Sequence, residues 1–424
     1  MRVSGSLRVP GDKSISHRAL IFGALAGDAG TAINESRVTG ILQSADVQST
    51  AAVLRALGGN IPPLAPDFTL RGSARRLRQP DRELDCGNSG TTARLMAGVV
   101  AASRIDATFV GDASLSRRPM RRIARPLEAM GAGIDLPPHF GLPMSIHGGG
   151  LHDIEWRSEV ASAQVKSAIL LAALIAGVRA RVSEPARSRD HTEKMLEARG
   201  AMLHIDGTTV TIDAASALQA RDTAVPGDPS SASFFAGLAA LADSGELRLE
   251  SVCVNDTRTG FFQQLRAMGA RVVEEHRRLE GGEWVADVLV SPRRLRAVTV
   301  IEGDVPSMID ELPLLACLAA RAEGETVITG AAELRVKESD RIAAVVSNLR
   351  DLGAEVDELP DGMRIQGSDR PLRGRVATHG DHRLAMAFGI LGAAPGNSID
   401  IDDRECVAVS YPGFWTDLAR VTQE

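Results

Sequence analysis

The sequence predicts an α/β protein of two domains, built from six copies of one supersecondary unit. Polar segments recur roughly every 75 residues, and each runs directly into an apolar, Ala-rich stretch, which is typical of a repeated helix start. A short β-like segment follows each stretch, and an amphipathic segment ending in glycine follows five of them. The six starts are marked by Ser14, Asn88, Ser162, Ser230, Asp310 and His382.

The first helix of each unit is predicted to be buried, because it is apolar almost all round after its polar start. The segment after it alternates or is β-branched over a few residues, which favours a strand. These predicted strands are 31–33, 107–110, 180–182, 247–249, 326–328 and 398–401.

The second helix of each unit is predicted to lie outside, because it carries one apolar stripe and one charged face. A glycine directly after the last helical residue supplies a left-handed C-terminal cap. The five repeated glycines are Gly58, Gly131, Gly200, Gly269 and Gly353. A strand follows in most units, so that the unit is of the βαβαββ type, with an inner and an outer helix.

The two ends of the chain depart from the repeat. The sixth unit lacks the glycine ending, whereas an additional β-like segment, 6–9, precedes the first unit. We infer that this strand completes a domain formed mostly by the C-terminal half. The predicted domains are therefore 1–12 with 227–424, and 13–226, three units each. The chain would cross near 10–13 and 225–229, where Pro and Gly suit a hinge.

Composition narrows the classes of function. The 424 residues, 44% hydrophobic and 24% charged, are typical of an ordinary soluble protein. Only 3% are aromatic and the net charge is −6, which disfavours binding to nucleic acid or to membrane surfaces. No apolar run is long enough for a bilayer, the N-terminus does not resemble a targeting peptide, and the four cysteines form no CxxC pair. We expect a cytoplasmic protein without a structural metal or disulfides.

The helix starts carry side chains suited to oxyanions, which helix N-termini attract. Taken singly, each is better explained as a helix cap or a solvated charge, but their recurrence at equivalent positions favours a shared anion site. The groups are Lys13, Ser14 and Arg18 in the first unit, Asn88, Ser89, Thr91 and Arg94 in the second, Ser162 and Gln164 in the third, and His382 and Arg383 in the sixth.

Three further clusters have two interpretations each. The five arginines of 117–125 indicate either anion binding or an exposed helix face. Segment 337–341 is expected to begin a helix and is either functional or an ordinary capping box. Asp310 and Glu311 lie in an otherwise apolar stretch, where an acid pair indicates an acid–base role or a helix cap. No P-loop, zinc-protease, nucleophile-elbow or dinucleotide fingerprint is present.

Five motifs together, 10–18, 87–91, 118–120, 335–341 and 381–383, resemble the 5-enolpyruvylshikimate-3-phosphate (EPSP) synthase family. The resemblance extends over essentially the whole chain. It implies an enolpyruvyl transferase-like fold of two three-unit domains. It also implies transfer of the enolpyruvyl group of phosphoenolpyruvate to the 5-hydroxyl of 3-phosphoshikimate by addition–elimination in an interdomain cleft. Two small substrates, no metal or other cofactor, and a monomer are expected.

The resemblance also implies roles for individual residues. Asp310 would accept the hydroxyl proton, Glu338 would donate a proton to the methylene carbon, and Lys13 would assist. The 3-phosphoshikimate site would comprise Lys13, Ser14, Arg18, Ser162, Ala163, Gln164, Asp310 and Lys337. The phosphoenolpyruvate site would comprise Lys13, Gly90, Arg118, Gln164, Arg341 and Arg383. Arg189 is a further candidate for 3-phosphoshikimate.

The chain departs from many family members at three positions. Val409 stands where they have Lys, Ala163 where they have Ser, and Glu333 where they have Asn. Two other functions stay open on the sequence. A UDP-N-acetylglucosamine 1-carboxyvinyltransferase is disfavoured because segment 112–125 has no cysteine. A non-catalytic two-lobed anion-binding protein is disfavoured because it has no use for carboxylates beside its ligand.

Overall fold

The computed structural model describes residues 1–27 and 34–423. Contacts divide the chain into two compact units. The terminal unit contains Met1–Pro10, Pro226–Leu279 and Trp284–Glu424. The central unit contains Gly11–Val225 together with Glu280–Glu283.

The described residues form thirteen α-helices and four short 3₁₀ helices. The α-helices are α1 Lys13–Leu25, α2 Ala45–Ala56, α3 Gly90–Ala101, α4 Ala113–Ser116, α5 Arg121–Ala129, α6 Ala163–Ala176, α7 His191–Glu197, α8 Pro229–Leu241, α9 Gly260–Ala267, α10 Leu312–Ala319, α11 Arg341–Asp351, α12 His382–Ala393 and α13 Phe414–Val421. The 3₁₀ helices are Val305–Ser307, Ile309–Glu311, Ala332–Val336 and Glu405–Val409.

The strands are short, apart from one long hairpin. In chain order they are β1 Arg2–Val3, β2 Gly5–Leu7, β3 Glu35–Thr39, β4 Asp67–Arg71, β5 Leu84–Asp85, β6 Asp106–Val110, β7 Gly133–Asp135, β8 Met144–His147, β9 Ile154–Arg157, β10 Ala180–Ser183, β11 Leu203–Asp206, β12 Thr209–Ile212, β13 Thr223–Ala224, β14 Leu247–Cys253, β15 Arg271–Glu280, β16 Glu283–Ser291, β17 Thr299–Val300, β18 Glu325–Ile328, β19 Glu355–Leu359, β20 Gly362–Gln366, β21 Arg373–Val376, β22 Ser398–Ile401 and β23 Thr422–Gln423.

The central unit contains three small mixed sheets, ordered β13-β3-β4, β5-β6-β8-β7 and β11-β12-β10-β9. Each sheet has one parallel pair: β13 with β3, β5 with β6, and β9 with β10. Helix α3 connects β5 to β6, and α6 connects β9 to β10. Two adjacent parallel strands must be joined by a crossover connection. Each crossover helix therefore begins soon after the first strand of its parallel pair ends.

The terminal unit repeats this pattern. Its sheets are ordered β15-β16-β14-β2, β17-β18-β20-β19, β21-β22 and β1-β23. The parallel pairs are β2 with β14, β17 with β18, and β21 with β22. Helix α10 connects β17 to β18, and α12 connects β21 to β22.

Two kinds of helix occur in both units, as predicted. The inner helices are buried along almost their whole length; in α1, for example, every residue from Ile15 to Leu25 is buried. In the central unit α3 packs on α6, and in the terminal unit α10 packs on α12. By contrast, α5 exposes Arg121, Arg122 and Arg125 and buries its opposite face. The predicted α/β units with inner and outer helices are confirmed.

The repeated glycines have the predicted cap conformation. Their φ angles are 86°, 112°, 85°, 100° and 93° at Gly58, Gly131, Gly200, Gly269 and Gly353. A residue with a β-carbon rarely adopts such values, so glycine is required where each outer helix turns back.

Predicted and observed element bounds differ in a few places. Five of the six β-like segments lie in β6, β10, β14, β18 and β22, and 31–33 lies outside the described residues. The N-terminal strand is Gly5–Leu7, not 6–9. Asp310 does not begin an α-helix but lies in a 3₁₀ turn before α10. Within the described ranges, no helix combines the length and apolarity needed to cross a membrane.

Candidate active site

Helix α1 of the central unit begins at Lys13 and is capped by a buried carboxylate. Asp12 Oδ1 accepts a hydrogen bond from the Ile15 backbone N–H at 2.8 Å. Lys13 Nζ lies 3.1 Å from Asp46 Oδ2, and the Lys13 side chain keeps 24% of its surface exposed. The ammonium is therefore held at the helix start but stays accessible to an anion.

Arg18 follows one turn later on α1 and is almost fully buried. Its Nε donates to Thr192 Oγ1 at 2.7 Å, its Nη2 to Ser167 Oγ at 2.8 Å and its Nη1 to the Ser14 carbonyl at 3.0 Å. Burial lowers the pKa of Arg18 to about 10, which leaves the guanidinium charged at neutral pH. Sequence reasoning missed Ser167 and Thr192, which fix this cation.

The start of α3 brings together five of the predicted residues. Arg118 Nη2 donates to Asn88 Oδ1 at 2.8 Å, and a β-carbon added at Gly90 would lie 2.9 Å from Arg94 Nη1. Arg94 Nη1 in turn donates to Gln164 Oε1 at 2.7 Å. Two guanidinium groups and an amide therefore surround a helix N-terminus, a position that also favours anions.

The two interpretations of the arginine-rich segment 117–125, anion binding and an exposed helix face, apply to different arginines. Arg118 lies between α4 and α5, half-buried, where it reaches Asn88. Arg117, Arg121, Arg122 and Arg125 are exposed. Only Arg118 of the five therefore contributes to the cluster at α3.

The start of α6 rests on a buried ionic cluster that the sequence analysis did not identify. Ser162 caps the helix, with its Oγ 3.5 Å from the Val165 backbone nitrogen. Its own backbone N–H donates to Glu184 Oε1 at 2.7 Å. Glu184 also binds Lys166, which is buried within α6. A lysine in an otherwise apolar stretch was the available signal.

In the terminal unit, the fully buried Arg341 organises three carboxylates. Its Nε lies 2.8 Å from Asp381 Oδ2, its Nη2 2.8 Å from Glu338 Oε2 and its Nη1 3.4 Å from Asp310 Oδ1. Burial alone would lower the pKa of Arg341, but the carboxylates, Asp381 first, outweigh it and raise the pKa. Likewise, burial alone would raise the pKa of Asp381, but Arg341 outweighs that effect and lowers the pKa.

Asp310 is surrounded by cations. Besides Arg341, Arg383 Nη2 lies 3.8 Å from Asp310 Oδ2 and Lys337 Nζ lies 4.0 Å from Oδ1. The side chain is 15% exposed. Opposite charges at this range favour the anionic form of a carboxylate, so the site presents a partly accessible anion that can accept a proton.

Glu311, the neighbour of Asp310, faces the interior. It accepts a hydrogen bond from Ser230 Oγ and lies 3.9 Å from Arg383 Nη1. Glu311 occupies the N-cap position of α10, but its side chain makes no cap bond there. The Glu311 side chain therefore does not act as an ordinary helix cap.

Segment 337–341 begins a helix later than expected. Helix α11 starts at Arg341 and is capped by Asp340, which accepts from the Ala343 N–H at 3.0 Å. Lys337 and Glu338 therefore lie before the helix, because the Asp340 cap fixes Arg341 as the first helical residue. Lys337 Nζ also lies 3.6 Å from Glu333 Oε1.

Four remaining residues of interest are placed as follows. His382 is the first residue of α12 and is buried, whereas Arg189, between β10 and α7, is half-buried. Ala163 is the first residue of α6. Val409 ends the 3₁₀ helix Glu405–Val409 and is half-buried.

Comparisons with solved structures define the class of protein. The enolpyruvyl transferase NikO from Streptomyces tendae superposes with a TM-score of 0.74 over 99% of this chain and 95% of its own, at 18% identity. EPSP synthase from Acinetobacter baumannii superposes with a TM-score of 0.88 over 99% of this chain and 96% of its own, at 40% identity. The chain therefore has the two-domain enolpyruvyl transferase fold, and the predicted fold class is confirmed.

Sequence comparisons give the family within this class. The EPSP synthase (3-phosphoshikimate 1-carboxyvinyltransferase) model matches residues 1–418. The 3-phosphoshikimate 1-carboxyvinyltransferase of Sulfurihydrogenibium sp. is 48% identical, with 100% of this chain and 98% of that protein covered. That of Xanthomonas euvesicatoria is 47% identical, with 98% and 93% covered. The chain belongs to the EPSP synthase family.

Proposed function

We propose that the protein transfers the enolpyruvyl group of phosphoenolpyruvate to the 5-hydroxyl of 3-phosphoshikimate and releases phosphate. Full-length similarity to proteins named for this reaction supports the proposal. The observation that carries the residue roles is the cluster in which one buried arginine, Arg341, binds both Asp310 and Glu338. An addition–elimination needs two such groups, one to accept and one to donate a proton.

In the proposed mechanism, Asp310 removes the proton of the 5-hydroxyl as the hydroxyl oxygen forms a bond to C2 of phosphoenolpyruvate. Glu338 gives a proton to C3, which completes the tetrahedral intermediate. In the second stage C3 returns its proton to Glu338, the C2–C3 double bond re-forms, and the C2–O bond breaks so that its electron pair leaves with the phosphate, whose charge Lys13 stabilises. The proton that Asp310 took from the hydroxyl leaves with the phosphate or passes to water, so both carboxyl groups return to their initial states.

We propose two groups of binding residues. Both substrates are polyanions, and the half-buried Lys13 and Arg118 and the hydrogen-bonded Arg18 support the assignment. For 3-phosphoshikimate they are Lys13, Ser14, Arg18, Ser162, Ala163, Gln164, Asp310 and Lys337. For phosphoenolpyruvate they are Lys13, Gly90, Arg118, Gln164, Arg341 and Arg383. We also propose a monomeric, cytoplasmic enzyme whose domains are the two three-repeat segments and whose reaction uses no cofactor.

The test is phosphate release from phosphoenolpyruvate by purified, metal-chelated protein. It is run without an acceptor, with 3-phosphoshikimate and with UDP-N-acetylglucosamine. Release only with 3-phosphoshikimate is expected. Release only with the sugar nucleotide would assign the chain to another enolpyruvyl transfer, and no release with either would leave an anion-binding protein.

Asp310→Asn tests the proposed base. We expect kcat to fall by about 10²–10⁴, the range for loss of a positioned acid–base group. Glu302→Gln, an exposed acid of the same segment, is the control and should retain the parental kcat. An Asp310→Asn variant with parental turnover would show that another group accepts the proton.

A further inference from the structure

Three ionisable side chains lie buried at the base of α6, apart from the proposed catalytic groups. Lys166 Nζ lies 2.7 Å from Glu184 Oε2 and 2.8 Å from Glu193 Oε1, and the three side chains are only 3%, 1% and 1% exposed. We call Glu184, Lys166 and Glu193 the buried triad. Buried ion pairs are costly to desolvate and are weak contributors to stability, so their presence needs another explanation.

Glu184 connects the triad to the helix start. Its Oε1 accepts the Ser162 backbone N–H at 2.7 Å, while its Oε2 accepts the Ser188 hydroxyl at 2.7 Å as well as Lys166. The Glu184 carboxylate thus binds Ser162, the residue that caps α6. Ser162 is the first of three consecutive residues that we assign to 3-phosphoshikimate. Glu193 has no bond to that segment among the contacts of the described residues.

The segment needs such support because of its composition. Ala163 has no polar side chain, so any hydrogen bond from that position to a ligand must come from its backbone. A backbone donor is aimed only as well as the backbone itself is held. The charged acceptor on the Ser162 N–H fixes the Ala161–Ser162 peptide, one residue before the Ala163 N–H, since charge-assisted hydrogen bonds are stronger than neutral ones.

Arg18 is hydrogen-bonded to the same two helices, α6 and α7. It donates to Ser167 and Thr192, which lie next in sequence to Lys166 and Glu193 respectively. Ser167 Oγ and Thr192 Oγ1 are themselves 2.7 Å apart. The Lys166–Glu193 ion pair joins α6 to α7, and Arg18, which we also assign to 3-phosphoshikimate, bonds directly to a hydroxyl of each of these helices.

We propose that Glu184 is a positioning residue for 3-phosphoshikimate: it aims the Ser162–Gln164 backbone, and Lys166 balances its charge. The proposal rests on the proposed function, in that 3-phosphoshikimate is the ligand of this segment. It predicts an effect on one substrate and on binding, not on the chemical step.

The experiment compares Glu184→Gln with Glu193→Gln. Each removes one carboxylate from Lys166 and leaves the other, so each retains a neutral buried pair, but only Glu184→Gln weakens the acceptor on Ser162. We expect Glu184→Gln to raise the dissociation constant for 3-phosphoshikimate alone, measured by calorimetry, about tenfold. The KM for phosphoenolpyruvate and kcat should change less than about twofold. Glu193→Gln should leave the 3-phosphoshikimate constant within about twofold.

Equal weakening in both variants, or an unchanged constant in Glu184→Gln, would overturn the proposal. If Glu184→Gln is not recovered folded, Glu184→Asp takes its place, because it keeps the negative charge but shortens the side chain by one methylene group. The same selective weakening is expected there, and an unchanged constant overturns the proposal. Parent protein that neither binds 3-phosphoshikimate nor releases phosphate with it would instead refute the proposed function, so the two failures are distinguishable.

Discussion

Replacing Asp381 by asparagine should destabilise the terminal unit by about 3–5 kcal/mol, the cost of breaking a buried ion pair. The Asp381 carboxylate is fully buried and accepts four hydrogen bonds. Oδ2 accepts from Arg341 Nε at 2.8 Å and Ser339 Oγ at 3.0 Å. Oδ1 accepts from Arg383 N at 2.9 Å and Arg341 Nη2 at 3.3 Å. In asparagine one of these oxygens becomes an NH₂ group, which cannot accept.

The loss falls on the ion pair and spares the helix cap. If the remaining oxygen of the introduced amide faces Arg383 N, the cap of α12 is kept, because asparagine and aspartate cap helices about equally well. The NH₂ group then faces Arg341 Nε, and the buried guanidinium loses its charged partner. Glu338 and Asp310 remain near Arg341, but at more exposed positions.

The effect should depend on pH with a defined sign. The folded-state pKa of Asp381 is lowered, with the Arg341 charge outweighing burial, so its contribution is complete above the unfolded-state pKa of about 3.9. It is lost as the pH falls through the folded-state value. The difference in unfolding free energy between parent and Asp381→Asn should thus be constant from about pH 7 to 5 and narrow below about pH 4.

Urea unfolding followed by tryptophan fluorescence measures this difference. Of the three tryptophans, Trp284 and Trp415 belong to the terminal unit, so a Trp156→Phe background reports on that unit. Asp340→Asn is the matched control: it also caps a helix, but its side chain is 39% exposed, and it should cost about 1 kcal/mol or less. Equal losses in the two variants, or a difference that persists unchanged at pH 3, would refute the reasoning.

Two further predictions concern the central unit. Arg118→Lys should raise the KM for phosphoenolpyruvate about tenfold or more, because lysine cannot keep both the 2.8 Å bond to Asn88 and a forked contact to an anion. Steady-state kinetics with both substrates varied measures this change. An unchanged KM would show that Arg118 does not bind phosphoenolpyruvate. Burial lowers the pKa of His17 to about 3, and its Nδ1 lies 2.7 Å from Thr50 Oγ1. The NMR signals of the His17 ring should therefore not titrate between about pH 5 and 8. A titration midpoint in that range would contradict the burial argument.

The repeat was predictable because glycine and apolar periodicity act locally. A left-handed cap needs glycine wherever it occurs, and a helix buried on all sides must be apolar on all sides. Gly58, Gly131 and their equivalents therefore indicated the ends of the outer helices directly. The exact helix starts were less predictable, because Asp12, Asp228 and Asp381, which cap α1, α8 and α12, stand next to other polar residues that cap equally well in isolation.

The interior partners of the site were not predictable from sequence. Glu184 and Lys166 are 18 residues apart in sequence, and their pairing follows from the packing of α6 against the loop after β10. The same holds for Ser167 and Thr192, which fix Arg18. These contacts depend on which helices are neighbours, and a single sequence does not show that.

The pairing of early strands with strands much later in the chain has a consequence for how the polypeptide is made. Strand β2 pairs with β14, and β13 pairs with β3. At typical translation rates, β2 leaves the ribosome on the order of 10–50 s before its partner, because roughly 240 residues separate them. The sheet containing β3 can be completed once residue 224 has emerged, whereas β2 has no partner throughout that interval. At three residues, β2 is too short to recruit a foreign strand effectively, so its brevity protects the nascent chain while it waits.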